Sequence, residues 1–104
     1  MNLLQSKLEL PCGATIKNRI AKSAMTERIA DPGNVVSKKH LNLYSRWAKS
    51  ECGLLISGNI IVDSYNLEGA GNIVLNKKNF YEQADRLREL TKVAKSNQTH
   101  FWAQ

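Results

Sequence analysis

The stretch Lys17 to Thr26, KNRIAKSAMT, decides the fold. Ile20 and Ala21 have strand character and run directly into Ser23-Ala24-Met25-Thr26, where small side chains leave the backbone accessible and a hydroxyl follows at once. Such a strand end is a place to lay a flat ligand. Two later stretches have a similar build, GLLISGNIIVD from Gly53 to Asp63 and HFWAQ from His100 to Gln104. Segments of helical period lie between them, so the residues read in the order hairpin, β, α, β, α, β.

Upstream of the first stretch, Leu8-Glu9-Leu10 and Ala14-Thr15-Ile16 alternate around Pro11-Cys12-Gly13, which predicts a small hairpin. Downstream, Asp31-Pro32-Gly33-Asn34 is a turn signal. Leu41, Tyr44, Trp47 and Ala48 then recur at spacings of three and four, predicting a helix with Ser37 as its N-cap and Gly53 as its stop. Leu54 to Val62 reads as one nearly continuous buried parallel strand, and Gly58 within it marks a bulge or a close backbone approach. Asp63 to Lys78 reads as a polar loop. Its Glu68-Gly69-Ala70-Gly71 is not a dinucleotide fingerprint, because Val74 stands where the third glycine belongs and no helix opens directly. Asn79 with Glu82 suggests a capping box, and Phe80, Ala84, Leu87, Thr91 and Ala94 trace the apolar face of a second helix to about Ser96. Charges at Glu82, Asp85, Arg86, Arg88, Glu89 and Lys92 mark its solvated face.

With 104 residues, 42% hydrophobic and 23% charged, the chain is one domain or part of one, of ordinary globular composition. Fifteen Lys and Arg against nine Asp and Glu leave a net charge of +6, which raises the question of an anionic partner such as nucleic acid. The basic residues are scattered, however, and the pairs Lys38-Lys39 and Lys77-Lys78 stand where helices begin. Cys12 and Cys52 form no CxxC pair, and reduced thiols in a cytoplasmic protein are expected. The opening MNLLQSKLEL is too polar for a signal peptide, and no run approaches the length of a membrane span. His40 and His100 have no Cys, Asp or Glu at ligand spacing, so no metal site is assigned and both read as surface or strand-packing residues. Tyr44 and Trp47 read as packing residues. No Ser/His/Asp or P-loop arrangement is visible, and no catalytic residue is assigned.

The three quoted stretches, in their order, resemble the ends of the first, second and third barrel strands of the Old Yellow Enzyme family of flavin oxidoreductases. The resemblance spans essentially the whole chain, residues 1–104. It implies an α/β fold that is an incomplete TIM (β/α)8 barrel: an amino-terminal hairpin, the first two β/α units and a third strand. A complete barrel takes about 250 residues, so the expected object is an amino-terminal part of one FMN-binding domain. By resemblance, Ala24 and Met25 would pack on and hydrogen-bond the isoalloxazine through their backbone. Thr26 would set its hydroxyl near the flavin O4 and N5 edge, Gly58 would let the backbone approach the ring, and the Gln104 amide would satisfy the pyrimidine edge. FMN is the implied cofactor and NAD(P)H its reductant, with an electrophilic alkene as substrate of the complete enzyme. Some family members carry a cysteine where Thr26 stands, so tuning by a thiol is absent here. Many have proline at the position of Ala24, which loosens the backbone without removing a needed side chain. The family's substrate-holding His/His or His/Asn pair, proton-donating tyrosine and phosphate loops all come later in the barrel, and little or no activity is expected of these residues alone. The alternatives are a noncatalytic fragment that pairs with itself or with the rest of the barrel, and a small basic nucleic-acid-binding module.

Overall fold

The computed structural model describes residues 2–104, and its elements follow the order the periodicities predict. A 3-10 turn over Leu3–Gln5 precedes the antiparallel hairpin of β1 (Leu8–Glu9) and β2 (Thr15–Ile16). Then come β3 (Ala21–Lys22), α1 (Lys38–Lys49), β4 (Leu54–Ile56), β5 (Ile60–Ile61), β6 (Ile73–Val74), α2 (Phe80–Ala94) and β7 (His100–Trp102). The three strands β3, β4 and β7 form a parallel sheet in chain order. Ala21 stands opposite Leu54, and Leu54 opposite His100. Parallel neighbours of this kind require crossovers, and the helices supply them.

The Asp31–Asn34 turn forms as its residues demand. Gly33 and Asn34 take φ of 89° and 60°, and the Asn34 amide donates to the Asp31 carbonyl at 2.9 Å. Helix α1 starts at a reciprocal cap: the Ser37 hydroxyl accepts from the His40 amide while the Ser37 amide donates to His40 Nδ1 at 3.0 Å. His40 is therefore buried in the cap, against the expectation of a surface or strand-packing side chain.

Three boundaries differ from the sequence reading. Helix α1 stops at Lys49 and Glu51, with φ 68°, makes the left-handed turn expected of Gly53. Gly53 is needed for space instead, since a Cβ there would lie 2.7 Å from Ile16 Cγ2 and 2.8 Å from the Asn18 carbonyl. Asn79 makes no capping bond, because its side chain reaches back to the Val74 carbonyl at 2.7 Å and accepts from the Asn76 amide at 3.1 Å. The run from Leu54 to Val62 is broken at Ser57-Gly58-Asn59. Its second half, β5, pairs in parallel with β6, which lies inside the stretch read as a loop.

The core joins the sheet to both helices through Val36, Tyr44, Ala48, Cys52, Leu55, Ile73, Leu90 and Ala94. Leu55, fully buried on the central strand, contributes about 1.5–3 kcal/mol by removal from water. On α2 the buried residues are Gln83, Leu90 and Ala94, with Leu87 packed against the core; Leu87 and Ala94 belong to the predicted face, Gln83 and Leu90 do not, and Phe80 is half exposed. Gln83 belongs there because it is saturated: Oε1 accepts from the Val36 amide at 3.0 Å, and Nε2 donates to the Asn34 and Val74 carbonyls at 2.9 and 2.7 Å. Cys12 and Cys52 are both free thiols, the first exposed and the second buried. Among the described residues no helix is long and apolar enough to cross a membrane.

Candidate functional site

The carboxyl ends of the parallel strands are where α/β sheets gather ligands, and here three of them meet at β3, β4 and β7. Ser57, just after β4, ties the middle to the last: its amide donates to the Trp102 carbonyl at 2.9 Å and its hydroxyl accepts from the Gln104 amide at 3.0 Å. The Gln104 carbonyl in turn accepts from the Ile60 amide at 2.9 Å, so the backbone of Gln104 is fixed while its side chain stays exposed.

Between β3 and β4 the contact is closer. A Cβ at Gly58 would overlap both the Met25 carbonyl oxygen and the Glu27 carboxylate. Gly58 is thus the point of close backbone approach that its place in a strand pattern predicted, and what approaches it is the loop that follows β3. That loop carries Ala24 half buried and Met25 and Thr26 exposed. Among the described residues, no backbone carbonyl accepts from the amides of Ala24, Met25 or Thr26. An accessible row of unpaired N–H donors beside a hydroxyl and an exposed carboxamide is a donor set that suits a flat, polar-edged heterocycle.

Tyr44 of α1 stands behind this junction. Its hydroxyl donates to Glu27 Oε1 at 2.6 Å and accepts from the Gly58 amide at 3.1 Å. Its ring meets Trp47 and Phe101 edge-on, with centroids 4.9 and 5.4 Å away. Burial, together with the bond to the Glu27 carboxylate, pushes the phenol pKa far above its usual range. Lys22 lies 4.3 Å over the Trp47 ring, and burial lowers its pKa while Glu27 works against the shift.

Arg28, with φ 53°, follows Glu27 and pairs with Glu68. Side chains at Gly69 or Gly71 would strike the Arg28 guanidinium or carbonyl, so the glycines let the loop after β5 lie against the loop after β3. The pairing holds the Glu68 carboxyl below its ordinary pKa. Sequence reading passed over Tyr44 as a packing residue and made nothing of Glu27. The available signal was the hydroxyl itself, since tyrosine at the centre of a buried helix face needs a hydrogen-bond partner.

The chain is 37% identical over 71 residues to the NADH-dependent flavin oxidoreductase iliE of Hypocrea jecorina, a match that takes in 68% of this chain. It is 34% identical over 64 residues to the NADH-dependent flavin oxidoreductase iccE of Talaromyces variabilis. The chain belongs to the Old Yellow Enzyme family of flavin oxidoreductases. Crystal structures give the same fold. Old Yellow Enzyme from a Pichia species superposes with a TM-score of 0.82 at 17% identity, covering 98% of this chain and 25% of that one. The Old Yellow Enzyme homologue of Zymomonas mobilis also gives 0.82, at 18% identity and 99% and 27% coverage. This Old Yellow Enzyme chain spans 18% of the length of iliE and 16% of iccE. No family model matches it.

Proposed function

We propose that these residues form the FMN-facing part of an NADH-dependent flavin oxidoreductase of ene-reductase type, laid out as the first two β/α units and third strand of a (β/α)8 barrel. The observation that carries the reading is the convergence of the Ala24–Thr26 loop, Gly58 and Gln104 at one end of a parallel sheet, with the loop amides unpaired. FMN, when bound, would supply the hydride chemistry between nicotinamide and an electrophilic alkene. The chain's part is to bind and orient. Ala24 and Met25 offer backbone donors, and Thr26 offers a hydroxyl that can donate to the cofactor's polar edge. The Gln104 carboxamide both donates and accepts, and its fixed backbone limits where it can reach. Gly58 acts by setting the Met25 loop in place.

The exposed strand edges and apolar side chains favour a second reading, a noncatalytic segment that pairs with itself or with the rest of a barrel. One experiment addresses both: FMN titrated into the purified chain, followed by flavin fluorescence, amide NMR shifts and light scattering. Expected are weak saturable quenching, shifts gathered at Ala24–Thr26 and Gln104, and no NADH turnover. Shifts scattered elsewhere, or no quenching at any concentration, would remove the flavin reading and leave the association reading.

A further inference from the structure

The geometry points to Tyr44 as the residue that positions the cofactor-facing loop, a role that rests on the flavin reading above. Tyr44 lies on α1, outside the three strands, yet it touches a residue on or just beyond each of them. Its hydroxyl reaches Glu27 beyond β3 and Gly58 beyond β4, and its ring meets Phe101 of β7. The side chain is 1% exposed, so water has little access to replace either hydrogen bond.

Phenylalanine would fill the same space, and the two T-shaped ring contacts do not require a hydroxyl. What the hydroxyl adds is a two-sided clamp. Its proton goes to the Glu27 carboxylate and its lone pair receives the Gly58 N–H, so both hydrogen-bonding capacities are used in a place where an unmade bond is costly. The Ala24–Thr26 loop is bounded by these two partners. Glu27 is the next residue in the chain, and Gly58 lies so near the Met25 carbonyl that a Cβ there would overlap it. Fixing both from α1 sets the height of the loop amides relative to Gln104. Tyr44 does this without touching the ligand, and Glu27 serves it as an acceptor, for which negative charge is not essential.

The test uses the full 104-residue chain and four proteins: unsubstituted, Tyr44→Phe, Glu27→Ala and Glu27→Gln. Amide exchange by NMR reads the clamp, FMN titration reads its consequence, and circular dichroism checks that the helices persist. In Tyr44→Phe the Gly58 amide should exchange about tenfold faster or more, with shifted Ala24–Thr26 amides and FMN affinity lowered about tenfold. Glu27→Ala should reproduce the loop shifts and the weaker binding, and Glu27→Gln, which keeps an acceptor oxygen, should restore both. Unchanged Gly58 exchange in Tyr44→Phe, or a Glu27→Gln that behaves like Glu27→Ala, would overturn the clamp. Unsubstituted chain that takes up no FMN would instead overturn the flavin reading, and with it Tyr44's part in binding, whatever exchange shows. Flavin bound equally by all four proteins would overturn the positioning role alone.

Discussion

A methyl group added at Gly58 would sit against the Met25 carbonyl and the Glu27 carboxylate, and Glu27 is held from behind by Tyr44. Glu27 cannot retreat without giving up its bond to Tyr44, and the Met25 carbonyl can move only with its backbone, so Gly58→Ala should destabilise the fold by about 1–3 kcal/mol, the usual cost of forcing volume into a packed site. Urea unfolding measures it, and an unchanged midpoint would mean that the loop after β3 yields freely. The glycine was legible as a close approach, but its partner was not, because Met25 and Gly58 meet only once the sheet is assembled. His40 was less legible still. The third helical position of a capping box is usually Glu or Gln, and a histidine there gives no strong signal. Since the Ser37 amide can only donate, His40 Nδ1 is the unprotonated nitrogen, and a charged ring would lose that bond. Burial lowers the His40 pKa, with Glu27 and Asp31 opposing. The unfolded chain therefore binds the proton more readily. Stability from this residue should be intact above the unfolded pKa of 6.5 and decline as pH falls below it toward the lower folded value. The decline should disappear in His40→Gln, as thermal unfolding across pH would show, and an identical pH dependence in both proteins would count against it.

Among the elements, the strands β3, β4 and β7 and both helices were readable from hydrophobic period, whereas Ile60–Ile61 was read as the second half of one strand and not as a separate β5, and β6 was read as loop. Two residues carry no period. Ile60–Ile61 becomes a strand because the Gln104 carbonyl accepts the Ile60 amide and the Ile61 carbonyl accepts the Leu75 amide, both contacts set by distant chain. The face of α2 was read in part, with Leu87 and Ala94 at the core as expected, and Gln83 was missed for a related reason. An apolar-face rule places Gln83 outside, whereas its three hydrogen bonds to Val36, Asn34 and Val74 make it the peg that joins α2 to β6 and to the chain before α1. Substituting Gln83→Met keeps the length of the side chain and strands the Val36 amide, while the Asn34 and Val74 carbonyls keep the Val74 amide and the Asn79 side chain as donors. The expected loss is about 1–3 kcal/mol, the usual cost of one orphaned buried donor. Denaturant unfolding with an unchanged m-value would attribute the loss to the native state, and a loss below the scatter of the measurement would show that the peg is dispensable.

At the scale of the molecule, the radius of gyration is 14.7 Å and the principal extents are 48 × 27 × 23 Å. A compact domain of this length would have a radius of about 13 Å, so the chain is drawn out and buries less than its composition allows. The excess surface is apolar and lies partly at the sheet's own edges: Ile20 at 45% exposure precedes edge strand β3, and Trp102 at 45% ends edge strand β7. Beside β7 a cavity of about 370 Å³ is lined by Ile60, Leu75, Leu87, Phe101 and Ala103. An unpaired parallel edge next to an apolar hollow is a surface on which another strand and helix can be laid. In solution the second copy of the chain is the nearest supply. Light scattering should therefore show a mass that rises with concentration, and the rise should weaken in a variant carrying Ile20→Lys and Trp102→Lys, which charges both edges without entering the core. Added salt should not abolish association of the unsubstituted chain, since the contact is apolar while the net charge of +6 is repulsive between copies and is screened by salt. A chain that stays monomeric at all concentrations would mean that the short edges are blunt enough to be tolerated in water. Association that persists in the doubly charged variant would move the contact to the exposed Phe80 and Tyr81 on α2.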